Sequence, residues 1–231
     1  MKERPILFNG PMVRAILDGS KTQTRRIVKD QPPVDCGFVA TAVFNPTVID
    51  RKGLEQPGPE IFGAYSEDGS WGCKCPHGAP GERLWLRESF RFTSDFDADS
   101  PARVGERCLA AGYKTAWAPI QYDADGSKRD WGWVGTPLST AQGVTAGRTR
   151  ASMHMPRWAS RITLEVTGVR VERLQQINEA DAEAEGFGTG PYYTPRGNFS
   201  NLWECIAKPG SHWDANPWVW VVEFKRVSEA A

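Results

Sequence analysis

No stretch of this 231-residue sequence comes near the roughly eighteen consecutive apolar side chains that a membrane-spanning helix needs. The opening Met1-Lys2-Glu3-Arg4-Pro5 carries charge but no following apolar segment with a small-residue cleavage site. Export is therefore not expected, and a cytoplasmic location is. An excess of either charge is missing too: 28 Lys and Arg face 28 Asp and Glu, which argues against a bulk polycation of the histone kind. Histidine is scarce, and His77, His154 and His212 show no partner pattern for a Ser-His-Asp hydrolase. No Gly-x-Ser-x-Gly elbow and no Gly-x-Gly-x-x-Gly fingerprint occurs. The five cysteines form no evenly spaced framework, as expected of a reduced protein rather than a disulfide scaffold. In Cys73-Lys-Cys75-Pro-His77 a single residue separates the thiols, and no second pair matches it. Zinc sites space their ligands more widely, so this segment reads as a loop and no metal is expected.

What is present is a globular composition, with 40% hydrophobic and 24% charged residues and a mean hydropathy of −0.48. Glycine (23) and proline (17) crowd into two regions, about 30–80 and 93–150, which read as long decorated loops with short strands. Within the second, Ile120-Gln121-Tyr122 and Trp131-Gly132-Trp133 flank Asp123-Ala124-Asp125-Gly126 and predict a hairpin. Elsewhere the pattern predicts a helix over 11–18 stopped by Gly19, then strands over 21–28, 83–92, 160–171 (with a bulge at Gly168) and 217–227. It also predicts a short acidic helix over 179–185, capped by Asn178 and ended by Gly186, and a helix over about 199–207. Several widely spaced strands with short helices make the fold class mainly β (α+β), a small barrel with helical decorations.

Charge is balanced in total but not locally. Residues 1–30 carry Lys2, Arg4, Arg14, Lys21, Arg25, Arg26 and Lys29 against three acids, and residues 146–173 carry six arginines against Glu165 and Glu172. Of the ten tryptophans, Trp85, Trp203, Trp218 and Trp220 lie in apolar runs and are expected in the core. Trp158, beside Arg157 and Arg161, is the candidate for stacking on a base.

Gly19-Ser20-Lys21-Thr22 looks like the end of a phosphate-binding P-loop but lacks the glycine directly before the lysine. It also follows a helix where a P-loop follows a strand. What remains is a donor cluster, Lys21-Thr22-Gln23-Thr24-Arg25-Arg26, at a helix-to-strand turn. Along a strand Thr22, Thr24 and Arg26 share one face, and Gln23 and Arg25 the other. One reading is a solvated strand start. The other is a partly dry site where desolvation and neighbouring arginines lower the Lys21 pKa, so that its amine takes the Thr24 proton.

Four blocks in order resemble the ASCH family: the turn at 19–26; Pro80-Gly-Glu-Arg-Leu-Trp-Leu-Arg-Glu88; Leu174 to Phe187 with its acidic helix; and His154-Met-Pro-Arg-Trp-Ala-Ser-Arg-Ile162. The last is similar to a longer subgroup frequent in phages and prophages. The resemblance implies one domain over 1–231, with a PUA-like β-barrel and insertions at about 30–80 and 93–150. It implies either an RNA-binding module or an amidohydrolase that deacylates N4-acetylcytidine-like nucleosides. In the latter Lys21 is the proton acceptor, Thr24 the nucleophile and Glu185 the proton donor, with Glu183 one helical step away. Thr22, Arg26, Arg157, Trp158 and Arg161 are the substrate-binding candidates, and no cofactor or metal is implied. The expected partner is a modified nucleoside, RNA or single-stranded nucleic acid, and no membrane. The alternative is a non-catalytic RNA or single-strand binder using the arginines of 148–173. A third reading is a protein partner met through the two loop regions. The chain is longer than the small amidohydrolases, which leaves its substrate open.

Overall fold

The computed structural model describes residues 2–34, 36–131, 145–190 and 192–227. The described residues are mainly β with few helices, as the α+β reading expects, and their strands fall into several open sheets with none closed into a barrel. The chain divides into two compact units. One is built chiefly from Gly19–Arg83 and Glu165–Lys225, the other from Glu3–Asp18 and Leu84–Leu164.

In the first unit, strands β12 (Thr163–Arg173), β13 (Trp218–Val227) and β2 (Gln23–Ile27) lie side by side in that order. β13 and β2 are antiparallel, in register from Val219↔Ile27 to Glu223↔Gln23. The first five residues of β13 are all buried, as a run of Trp and Val with no charge requires. The cover is two helices, α3 (Glu179–Ala184) and α4 (Pro195–Ile206). Their Ala182, Phe199 and Trp203 pack with Leu174, Ile177, Val219 and Val221 into one apolar cluster. Both helices open on side-chain caps, Asn178 accepting from the Asp181 amide and Thr194 from that of Gly197. β12 runs through Gly168 as one strand; a side chain there would meet the Glu223 carboxylate 2.7 Å away.

The region 30–80 is more ordered than its punctuation predicts. β3 (Val39–Phe44) and β6 (Ile61–Ser66) pair along their full length, with β7 (Gly72–Lys74) beside β6, and β4 (Thr47–Ile49) pairs with β5 (Glu55–Pro57). At Gly63 the β7 backbone comes so near that a Cβ would lie 2.1 Å from the Cys73 carbonyl oxygen.

In the second unit, β1 (Glu3–Leu7) lies beside β8 (Arg83–Arg87), and α1 (Gly10–Asp18) buries Val13 and Ile16. The strand predicted over 83–92 is interrupted at Glu88 and Ser89, then resumes as β9 (Phe90–Arg91). The predicted hairpin forms between β10 (Ile120–Tyr122) and β11 (Lys128–Arg129), closer to the turn than Trp131; Gly132 and Trp133 lie outside the described residues. A helix that the sequence reading missed, α2 (Pro101–Ala110), sits in the second loop region. Its signals were local: Pro101 at the first position and Ser100 accepting from the Arg103 amide. Only Val104 and Cys108 mark its buried side at helical spacing, too short a pattern to see. Phe90, Phe92, Val104, Ile120, Tyr122 and Met155 form the centre of this unit's core. Trp203, Trp218 and Trp220 are buried as expected, but Trp85 is only half-buried, with the Arg87 guanidinium 5.0 Å from its ring.

Candidate active site

The site begins where α1 ends. Gly19 takes φ +86°, which side chains resist, and turns the chain into the Lys21 segment. That segment is stitched to the end of α3. The Thr22 amide donates to the Ala184 carbonyl at 2.8 Å, and Lys21 and Glu185 form an isolated antiparallel bridge. On the other side the Phe224 amide donates to the Thr22 carbonyl at 2.8 Å. α3 itself is fixed by its Asn178 cap, by the buried Ala182, and by a left-handed Gly186 whose amide donates to the Glu183 carbonyl. A six-residue helix has little stability of its own, so tertiary packing holds it.

This stitching brings Lys21 onto Glu185. The amine donates to the carboxylate Oε2 at 2.5 Å and to the backbone carbonyl at 2.8 Å, with side-chain exposures of 0% and 2%. Burial pulls the Lys21 pKa down. Glu185 pushes it back up and the charges of Arg26 and Arg25 lower it further, so the amine stays below its usual value. Glu183 is exposed, so α3 turns Glu185 and not Glu183 toward the lysine.

Around the pair lies a charge network that the sequence reading did not assign. Arg25, also buried, reaches Glu185 Oε1 at 3.5 Å, Glu172 at 2.6 Å and Asp181 at 3.1 Å. Gln23 donates to the Asp181 carbonyl at 2.7 Å and to its carboxylate at 3.0 Å. Arg170 closes the far side, 3.0 Å from Glu172 and 3.1 Å from Asp181, with a further bond to Glu223. Burial alone would raise the Asp181 carboxyl, but Gln23, Arg25 and Arg170 outweigh it and hold it low. Lys21, Gln23 and Arg25 thus all meet acids, from α3 and from β12. The alternation that puts Gln23 and Arg25 on one face was readable, but the carboxylates awaiting them were not. Thr24, 2% exposed and opposite Val222 in the register, shares the other face of β2 with the half-buried Arg26. Thr22 is exposed and contributes its backbone.

An amine and a carboxylate in such contact share a proton. In a dry site the neutral pair, amine and carboxylic acid, gains on the ion pair because charge is poorly solvated there.

The remaining candidates belong to the second unit and have partners of their own. Arg157 pairs with Glu3 at 2.7 Å and donates to Thr163 at 3.2 Å. Trp158 is half-buried, its ring stacked on Phe92 at 5.7 Å between centroids and 8° between planes. Arg161 grips the buried Glu88 with two bonds of 2.8 and 2.9 Å, reaches Asp125 at 2.9 Å, and lies 4.0 Å above the Tyr122 ring. Arg150 donates to the Asp99 and Phe96 carbonyls, and in the first unit Arg173 donates to the Asn216 carbonyl. Most arginines of the basic stretch therefore spend their guanidinium on in-chain acceptors. Burial, with Asp30 and Cys75 adding to it, pushes the Cys73 thiol up to about 11. Among the described residues no group of three or more His, Cys, Asp or Glu could hold a metal ion, and no helix is long and apolar enough to cross a membrane. No family model matches the chain, and neither a curated protein nor a solved structure does.

Proposed function

We propose that the protein is an ASCH-type, PUA-like nucleoside-binding protein of the cytoplasm that hydrolyses the amide of an N4-acylated cytidine-like nucleoside. Lys21 is the proton acceptor, Thr24 the nucleophile and Glu185 the proton donor. The observation that carries this reading is the 2.5 Å contact between the Lys21 amine and the Glu185 carboxylate, groups 164 residues apart in sequence and closed to water. Passing their shared proton from nitrogen to oxygen yields the neutral amine and the carboxylic acid that acyl transfer needs. The assignment of Thr24 rests on its spacing from Lys21 in the ASCH-like turn.

In this reading the Thr24 hydroxyl proton passes to the Lys21 amine as the oxygen bonds to the acyl carbon. Arg26, on the Thr24 face, stabilises the oxyanion. The C–N4 bond then breaks and the exocyclic nitrogen takes its proton from Glu185. Water attacks the acyl-threonine and returns a proton to Glu185, while Thr24 recovers its proton from Lys21 and the carboxylic acid leaves. The in-chain engagement of the 148–173 arginines favours a small nucleoside over a long nucleic-acid strand.

The test is incubation with N4-acetylcytidine, following cytidine and acetate by chromatography. Turnover is expected, and it should fall by about 10²–10⁴-fold in Lys21→Met. No turnover by the wild-type chain, or equal turnover by a folded Lys21→Met variant, overturns the reading.

A further inference from the structure

The second unit holds a cavity of about 440 Å³ lined chiefly by Ser100, Pro101, Arg148, Thr149, Arg150 and His154. Two arginines, a histidine, a serine and a threonine are among the residues lining it, and none of the described residues lining it is acidic. Arg148, Thr149 and His154 are exposed, whereas Arg150 is 6% exposed.

Arg150 is held by neutral groups. Its two terminal nitrogens donate to the Asp99 and Phe96 carbonyls at 2.9 and 2.7 Å, its guanidinium lies 5.0 Å from the Phe92 ring, and its Nε–H has no acceptor among the described residues. Burial lowers its pKa and the charge of Arg148 lowers it further; Asp97 and Asp99 offset only part of this. Those two acids have other work. Asp99 is paired with Arg103 and Arg107, and Asp97 accepts from the Arg148 amide. The ten-residue helix α2 begins in the same wall, with Ser100 as its cap, and adds the positive end of its dipole. A concave site with surplus positive charge and fork-shaped donors suits phosphoryl oxygens. The volume exceeds what a bare phosphate fills and falls in the range of small-ligand pockets.

We propose that this cavity binds a phosphomonoester of mononucleotide size, with Arg148 gripping the phosphoryl oxygens from the rim and Arg150 as the fixed charge beneath. The phosphate comes from a free nucleotide or from the 5′ end of a strand. This site is independent of the amidohydrolase reading, whose nucleoside substrate carries no phosphate.

The experiment is isothermal titration of the full chain with cytidine 5′-monophosphate, with cytidine, and with one short oligonucleotide bearing either a 5′-phosphate or a 5′-hydroxyl. Saturable binding of the monophosphate but not of cytidine is expected, weakening as salt rises. Arg148→Ala, at an exposed side chain, should weaken it about tenfold or more. Lys21→Met should leave it unchanged, which separates this site from the candidate active site. If the 5′-phosphorylated strand binds and its 5′-hydroxyl counterpart does not, a strand end is a source; if only the monophosphate binds, a free nucleotide is. Absence of saturable binding for both phosphorylated probes overturns the proposal, as does binding that Arg148→Ala leaves intact in a folded variant.

Discussion

Each unit of this protein sets a cation against a buried glutamate, and the two pairs are built from different chemistry. In the second unit Arg161 holds Glu88 through a bidentate fork, adds Asp125 and covers the Tyr122 ring. In the first unit Lys21 holds Glu185 through a single amine. A guanidinium stays protonated throughout the accessible pH range, so the Arg161 fork can fix geometry but cannot pass a proton. The Arg161 pKa moves up still further, because its bonds to Glu88 and Asp125 outweigh its burial. The Lys21 pKa moves down, because burial dominates and two arginines stand nearby. The two ion pairs therefore differ in kind: the Arg161 cation is fixed in charge, whereas in the proposed reaction the Lys21 amine gives up and regains a proton.

The largest expected effect separates them by activity. Glu185→Gln keeps the shape of the carboxyl but not its acidity, and turnover of an N4-acylated cytidine should fall by about 10²–10⁴-fold. Glu88→Gln should leave turnover per folded molecule near the wild-type value, and a comparable loss there would erase the contrast. Next in size is stability. Glu88→Ala removes one of the two carboxylates that hold the half-buried Arg161 and should cost about 1–3 kcal/mol in urea denaturation. A cost below about 1 kcal/mol would mean that Asp125 and solvent, not Glu88, neutralise the guanidinium.

A third comparison uses pH. The folded Lys21 pKa lies below the usual 10.5. Between those two values the unfolded chain binds a proton that the folded chain does not, so stability rises with pH across that window. Lys21→Met should show a shallower rise than the wild type in denaturation midpoints measured from neutral pH to about pH 10.5. In the second unit burial alone would raise the Asp125 carboxyl, but Arg161 and Ser127 outweigh it and bring it to about 2, below its usual 3.8. Its contribution is present above that usual value and lost as pH falls through about 2, the opposite end of the scale from Lys21. An NMR titration of Asp125 should return toward the usual value in Arg161→Met. The smallest effect is at the helix carrying Glu185, where Asn178→Ala should cost about 1 kcal/mol. By loosening α3 it should also reduce turnover more than an equally destabilising change in α2.

Much of the framework was legible in the sequence because its signals are local. Gly19 ends α1, Asn178 starts α3 and Gly186 ends it, and a Trp-Val run makes β13, each close to where the residue types place them. The misses have equally local causes. Half of the residues of β3 and β6 are Ala, Thr, Gly or Ser, which blurs the apolar alternation, and the two strands are secured by pairing with each other. α2 buries only Val104, Gly105 and Cys108, too few apolar side chains to show a helical period. The strand over 83–92 is interrupted at Glu88, whose carboxylate is held by Arg161 from 73 residues away.

The sequence alone showed the donor cluster at the turn: a lysine, two threonines and two arginines within six positions, after a glycine that turns the chain. The resemblance to the ASCH family pointed to a glutamate at the end of one acidic helix. Tertiary structure decided that Glu185, not Glu183, meets Lys21, that Arg25 ties it to Glu172 and Asp181, and that the arginines of 148–173 mostly hold their own chain together. The reason is physical. Turns, caps and strand alternation are set by neighbours along the backbone, whereas the state of a charge depends on what surrounds it in space.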